Sequence, residues 1–512
     1  MLFPFKVPRK GQLEAIAAAR EAFARGKRFV VIEAPTGSGK SGVAVTLARE
    51  ASSAYLVTAQ KLLQDQYARD FPELALMKGR ANYRCLVAPT HAAAAPCIAG
   101  RKFPECDDCP YFCAKEAAMA ASGTLLNYAY YLTELNYQGG FGPRELLVLD
   151  EAHNAEGALM SFVEVSFSDA QLRRVGIGEA LPVVLDENEW FEVAEDLVPL
   201  FRSRRRELEA QLKGARLPTE TALELLAHKG WLESQLARLE LLAYSRDEEN
   251  VEWVALRTSG SGGQSVTLKP VKVAAFAEEL MFRFGERVLM LSATILDPPT
   301  YLRSLGIDPG DAEVITIASD FPPENRPIYP RPVARLTRHH LERDLPKLVH
   351  EIIELLEAHP EDKGVIHTHT YKIAAYIARY LPKRHAARLV THDSAEGREA
   401  ALDKHLRSRQ PTVLLTPSMT EGIDLPGDLS RWQVICKLPY PYLGDPQIAR
   451  RRELDPAWYD WRTCLTVVQA YGRSVRSRDD FAVTYVLDAD FGAFVRRQRA
   501  RLPGWFLEAV QG

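Results

Sequence analysis

Three short stretches carry residue types whose spacing suits phosphate chemistry. In the first, the apolar run FVVIE (29–33) leads into EAPTGSGKS (33–41), and the alanine-rich GVAVTLAREA follows. A strand, glycine-containing loop and helix in that order aim backbone N–H groups and a helix N-terminus at a phosphate. Thr36, Gly37, Ser38 and Gly39 would cradle it, Lys40 would reach the β- and γ-phosphates, and Ser41 would ligate magnesium. Ala34 stands where the usual pattern has its first glycine. The second stretch is DEAH (150–153), directly after the apolar ELLVLD. An Asp at a strand's carboxyl end can hold Mg²⁺ through water and the next Glu can polarise an attacking water, which gives Asp150 and Glu151 those roles. A lone Asp-Glu pair is otherwise a common helix N-terminus. The third is QAYGRSVRS (469–477), where Arg473 and Arg476 would share a helix face and could stabilise charge on a transferring phosphoryl group.

A different chemistry is written between residues 85 and 113, which hold five of the seven cysteines. Cys85, Cys97, Cys106 and Cys109 are spaced C-x11-C-x8-C-x2-C, and Cys113 follows after three residues. Four thiolates can hold zinc or an iron–sulfur cluster, and the spacing does not separate the two. Buried free cysteines suit a Pro- and Asp-containing loop poorly. Further on, His367 and His369 alternate in GVIHTHTYK, a spacing that could suggest metal but more commonly marks surface residues at a strand end.

Elements must hold these residues in place. Runs rich in β-branched residues recur with helical stretches between them: FVVIE, AYLVT (54–58), ELLVLD, RVLMLS (287–292), GVIHT (364–368), TVLLT (412–416), WQVIC (432–436) and FAVTYVL (481–487). This pattern reads as buried parallel strands in α/β domains. Two stretches break the rhythm: the cysteine segment, and residues 160–265, read as mostly helical, with TSGSGGQS (258–265) as a turn or flexible loop. A length of 512 residues suits three or four domains, with 46% hydrophobic and 26% charged residues, as in soluble globular proteins. No apolar run is long enough to span a bilayer, and the start MLFPFKVPRKGQ has no signal-peptide h-region, so a cytoplasmic location is expected. A net charge of -3 means that a nucleic-acid partner would be held by local basic surface.

The series EAPTGSGKS, DEAH, LSAT (291–294), TEGIDLPG (420–427) and QAYGRSVR resembles motifs I, II, III, V and VI of a superfamily 2 helicase. More narrowly, the chain is similar to the XPD/DinG family of iron–sulfur helicases. KGRANYRC (78–85) resembles the lead into that family's first cluster ligand, CPYFCAKEAAMAASGTLLNYAYYL (109–132) the stretch after its last, and SATILDPPTYLRSLGI (292–307) its continuation from motif III. The resemblance implies an α/β fold with two RecA-like domains, parallel sheets flanked by helices, and ATP between them. It also implies an iron–sulfur insert and a mostly helical arch insert in the first domain. The expected division is 1–78 (P-loop part), 79–124 (cluster), 125–159 (DEAH part), 160–265 (arch), 266–305 (motif III part) and 306–512 (second domain). Lys40, Ser41, Asp150 and Glu151 would be faced by Glu421, Gly422, Asp424, Gln469, Arg473 and Arg476. Gln12 would read adenine, while His153, Ser292 and Thr294 would couple nucleotide state to domain closure. Cys85, Cys97, Cys106 and Cys109 would hold a four-iron four-sulfur cluster, leaving Cys113 free, with a structural role beside the strand channel.

The implied activity is that of a monomeric ATP-dependent helicase moving 5′ to 3′ on single-stranded DNA and acting on forked substrates. An ATPase that binds or remodels single strands without unwinding is the competing reading. Expected track contacts are Arg80, Tyr83, Arg84, Asn127, Tyr128, Tyr131, Arg202 and Arg204–Arg206.

Overall fold

The computed structural model describes residues 2–9, 11–95, 97, 103–178, 181–182, 188–214, 219–246, 250–260, 263–319, 321–337, 339–394, 397–417, 425–475 and 479–512. All eight predicted strand runs are strands. Among the described residues the first sheet has seven strands, all parallel, in the spatial order Ala312–Thr316, Phe29–Glu33, Gly285–Ser292, Arg144–Asp150, Ala54–Thr58, Gly123–Asn127 and Ala75–Leu76. The central strands have apolar middles because both of their faces are covered. Phe29, Val31, Leu147 and Leu149 enter one core, while Val30, Ile32, Leu146 and Val148 enter the other.

Register decides what meets at the carboxyl edge. Glu33 pairs with Ser292, and Asp150 with Leu291, so three neighbouring strands end level. The loops that follow them carry EAPTGSGKS, LSAT and DEAH. Residues remote in sequence are thereby brought to one rim of the sheet, where ligands bind in open α/β folds.

The second sheet is also parallel, in the order Ile328–Ala334, Val483–Asp488, Trp432–Ile435, Gly364–His367, Val413–Thr416 and Leu389–Thr391. The helix Pro456–Tyr471 covers one of its faces, packing Cys464, Val467 and Val468 against Ile435 and Val486. Two RecA-like domains result, as expected.

Two expectations need correction. The strand Ala312–Thr316 pairs with Phe29–Glu33, so the first sheet extends beyond residue 305, where the second domain was expected to begin. Its run AEVIT completes the edge beside the P-loop strand. The segment 160–265 does contain two long helices, Glu189–Gly214 and Thr219–Arg246, but they stand on an antiparallel sheet. Val165–Ser168 pairs with Gly263–Pro270, which pairs with Trp253–Gly260. TSGSGGQS is therefore mostly strand, at the tip of a hairpin, and the hairpin is held by burial of Val266 and Leu268. Among the described residues no helix is long and apolar enough to cross a membrane.

Candidate active site between two sheets

The P-loop leaves Phe29–Glu33 and enters the helix Lys40–Glu50 through two left-handed glycines, Gly37 (φ 80°) and Gly39 (φ 83°). A side chain at Gly39 is disfavoured on two counts: its φ is positive, and a Cβ there would lie 2.3 Å from Gln12 Nε2 and displace that amide from the loop. Gln12 is buried against the loop, donating to the Gly39 carbonyl at 2.7 Å and accepting from Arg9 N at 2.5 Å. Arg9 in turn donates to the Gly37 carbonyl. Lys40 Nζ lies 3.1 Å from the Ala34 carbonyl, Ser38 Oγ is buried without a partner, and Ser41 is half-buried in the first helical turn. Thr36 faces the cavity described below. A positive ammonium, an orphaned hydroxyl and a bare backbone cradle suit a phosphate chain.

Asp150 ends its strand buried. Burial and the charge of Glu151 push its carboxyl above the usual range, opposed by Lys40, the Tyr67 hydroxyl and the Glu151 N–H. Tyr67 donates to Asp150 Oδ2 at 2.7 Å and Glu151 N to Oδ1 at 2.9 Å, so the carboxylate is held rigidly toward the loop. Glu151 adopts φ 50°, a left-handed conformation unusual for a non-glycine residue, which turns its side chain away from the strand line.

From here a polar chain crosses between the domains. His153 Nδ1 meets Ser292 Oγ at 2.9 Å, Ser292 Oγ accepts from Thr294 N at 3.0 Å, and Gln469 Nε2 donates to Thr294 Oγ1 at 3.2 Å. Burial lowers the His153 pKa to about 4, helped by Arg473, Arg462 and Lys40 and opposed by Glu151, so the ring is neutral near pH 7. Glu33 anchors the same loop by accepting from Ile295 N at 2.8 Å and Leu296 N at 3.0 Å. A cavity between the sheets is lined by Thr36, Glu151, His153 and Thr294 from the first domain and by Gln469 and Arg473 from the second. Glu421, Gly422, Asp424 and Arg476 lie outside the described residues.

Sequence reasoning missed Tyr67 and Glu33. Both act through contacts that only the sheet register creates, and Tyr67 sits in a polar helix, Lys61–Asp70, with no motif of its own.

In the cysteine segment Cys85 and Cys109 are buried, and Cys97 and Cys106 partly so. Burial and the neighbouring Cys106 raise the Cys97 thiol pKa, Arg80 lowers it, and Cys109 and Cys85 add to the rise. The Cys97 thiol thus feels Cys106, Cys109 and Cys85, while Cys113 is exposed. Among the described residues no three His, Cys, Asp or Glu side chains are arranged to hold an ion. The segment is tied to the core by helix Pro110–Ala120, whose N-terminus follows Cys109.

The expected track contacts fare differently. Tyr128 and Tyr131 are core residues, donating to the Asp150 carbonyl at 3.4 Å and the Met281 carbonyl at 2.6 Å. Arg202 pairs with Glu240, Arg204 with Glu207 and the Val175 carbonyl, and Arg205 with Glu209. Asn127 caps the helix Tyr128–Thr133. Arg84 is exposed, and Arg80 lies over the Tyr111 ring at 4.3 Å, beside Tyr83.

Fold and site together define a two-domain core whose nucleotide cleft lies between parallel sheets. Residues 5–175 match the family described as type III restriction enzyme, res subunit, and residues 352–509 match the helicase C-terminal domain. The chain is 23% identical to the ATP-dependent DNA helicase YoaA of Escherichia coli, over 94% of this chain and 91% of that one. It is 25% identical to the ATP-dependent DNA helicase DinG of Photobacterium profundum, over 54% and 43% of the two chains. The solved structure of an XPD helicase superposes with a TM-score of 0.68 at 16% identity, covering 97% of this chain and 98% of that one. The fold is thus the one seen in the solved XPD helicase.

Proposed function

We propose that the chain is an ATP-dependent DNA helicase that moves 5′ to 3′ along single-stranded DNA and separates the duplex ahead of it. The observation that carries this reading is the interdomain cavity, where the P-loop, Glu151 and His153 of one domain meet Gln469 and Arg473 of the other. In this reading Lys40 and the loop N–H groups bind the β- and γ-phosphates, Gln12 reads adenine, and Ser41 and Asp150 hold magnesium. Glu151 takes the proton of the attacking water, and Arg473 balances charge on the transferring phosphoryl group. A site split across two domains couples hydrolysis to their relative motion.

Cys85, Cys97, Cys106 and Cys109 would hold a four-iron four-sulfur cluster; the influence of the other three on the Cys97 thiol and the exposure of Cys113 support that donor set. The cluster would serve as a staple for a segment with little core of its own. DNA contact in this reading falls to Arg80, Tyr83 and Arg84 beside the cysteines.

The deciding experiment is strand displacement on 5′-tailed, 3′-tailed and forked duplexes, run beside ATP hydrolysis and iron, sulfide and zinc analysis. Unwinding of the 5′-tailed and forked substrates is expected, with hydrolysis stimulated by single-stranded DNA and lost in Lys40→Ala. Hydrolysis without unwinding would instead make the protein a strand-remodelling ATPase. Stoichiometric zinc without iron would overturn the cluster.

A further inference from the structure

The face of the second sheet beneath the arginine segment carries polar side chains that a plain core would lack. Gln433 Nε2 donates to the Tyr471 carbonyl and to Thr484 Oγ1, both at 2.8 Å. Ser474 Oγ donates to Gln433 Oε1 at 3.3 Å and meets Ser430 Oγ at 2.8 Å. Residues 471 and 474, which bracket Arg473, are thereby fixed to the sheet, and Leu425 N donates to the Arg473 carbonyl at 3.4 Å.

His367 belongs to the same face. It ends the strand Gly364–His367 in register with Ile435, two residues along from Gln433. Its ring is 0% exposed, and neither nitrogen has a partner in hydrogen-bond geometry. A buried imidazole with both nitrogens unmatched demands an explanation. Gln433 and Arg473 both line the interdomain cavity. Arg473 lines that cavity with His153, and its charge is felt by two buried histidines, His153 of the first domain and His367 of the second.

We propose that His367 is a positioning residue for Arg473, accepting a guanidinium N–H through one ring nitrogen and donating through the other to the Gln433 carboxamide oxygen. The contact forms when Arg473 extends toward the γ-phosphate, and it fixes the planar guanidinium in the orientation that matches phosphoryl oxygens. A neutral ring is required, since an imidazolium would offer no lone pair and would repel the arginine. Burial supplies this, with Arg473, lowering the His367 pKa to about 4 against the opposing pull of the nearby Gln433 side chain. The inference rests on the proposed ATP hydrolysis.

The test compares the full-length protein with His367→Phe, which keeps the volume without an acceptor, and with His367→Asn, whose amide oxygen restores one. For His367→Phe, DNA-stimulated kcat is expected to fall about tenfold with KM for ATP changed less than about twofold, because orientation rather than ground-state binding is lost. The thermal midpoint should not fall, and His367→Asn should recover most of kcat. In an Arg473→Ala background, His367→Phe should have no further effect, the mark of two groups acting as a unit. Unchanged kcat in His367→Phe, or losses that simply add in the double variant, overturns the proposal. Should His367→Phe not fold, His367→Leu carries the same comparison. Absence of hydrolysis in the wild-type protein would instead refute the ATPase reading itself.

Discussion

At the scale of single residues, the site concentrates conformations and charge states that the rest of the chain avoids. Glu151 is one of three non-glycine residues with positive φ among those described, and another, Leu296, closes the loop that Glu33 anchors. Such backbone strain persists only where the surroundings over-determine it. The buried histidines are equally informative, and they set a pH dependence. Burial, helped by Arg473 and opposed by Gln433, lowers the folded pKa of His367 to about 4 against an ordinary value near 6.5. Below pH 6.5 the unfolded chain takes up a proton that the folded protein refuses. The stability contributed by the neutral ring is thus complete above pH 6.5 and is lost as pH falls toward about 4. The loss amounts to roughly 3 kcal/mol at most. Urea midpoints measured from pH 7 to 4 should fall more steeply for the wild type than for His367→Phe; parallel curves would show that the ring titrates normally. Lys40, Asp150 and Arg473 could be singled out from the sequence because each belongs to a motif-like stretch, and the structure sets Lys40 and Asp150 at one sheet rim and Arg473 on the interdomain cavity. Tyr67 was not, because its hydroxyl finds Asp150 only after two separated elements have packed.

At the scale of elements, the DEAH strand does more than present two carboxylates. Its first residue, Arg144, is buried and donates to the carbonyls of Ala118 (2.9 Å), Ala121 (2.7 Å) and Ser122 (3.1 Å), with its guanidinium over Tyr55 at 4.5 Å. Two of those carbonyls lie at the C-terminal end of the helix Pro110–Ala120, which starts beside Cys109. A cation there satisfies orphaned carbonyls and opposes the helix dipole. One strand therefore links the cysteine segment at one end to Asp150 at the other. Arg144→Met should lower unfolding free energy by about 3 kcal/mol, the worth of several hydrogen bonds to a charged group. A change under about 1 kcal/mol in denaturant midpoint analysis would show that the carbonyls find other partners. Elements were well read where they were fully buried: all eight apolar runs became strands. The hairpin Trp253–Gly260/Gly263–Pro270 escaped because serines and glycines occupy its exposed half, although the alternation of Val266 and Leu268 was its readable signal.

At the scale of the whole molecule, the second domain is bolted to the first by buried polar contacts away from the nucleotide. Arg451 pairs with Glu156 at 3.1 Å, Trp458 Nε1 donates to the same carboxylate at 2.9 Å, and Trp461 Nε1 donates to the Ile295 carbonyl at 2.6 Å. Glu156 lies in the helix Ala155–Val163 just after DEAH, so interdomain docking and the proposed hydrolytic residues share a support. Arg451→Met leaves that carboxylate buried with a single donor, at a cost of about 3–5 kcal/mol. The expected result is a split unfolding curve in urea, with the domains melting apart; a single transition at the wild-type midpoint would show that the pair contributes nothing to docking. None of this was visible in the sequence, where Glu156 and Arg451 look like ordinary surface charges. One further feature reaches beyond this molecule. The helical excursion leaves through Val165–Ser168 and returns through Gly263–Pro270, strands paired with Ser168 opposite Ser265. Entry and exit are thus about 5 Å apart, a gap that a tight turn can close. The excursion is a cassette: a lineage can lengthen, trade or shed everything between those two serines without rethreading either sheet, and the same seam offers protein engineers a place to graft a different head onto the motor.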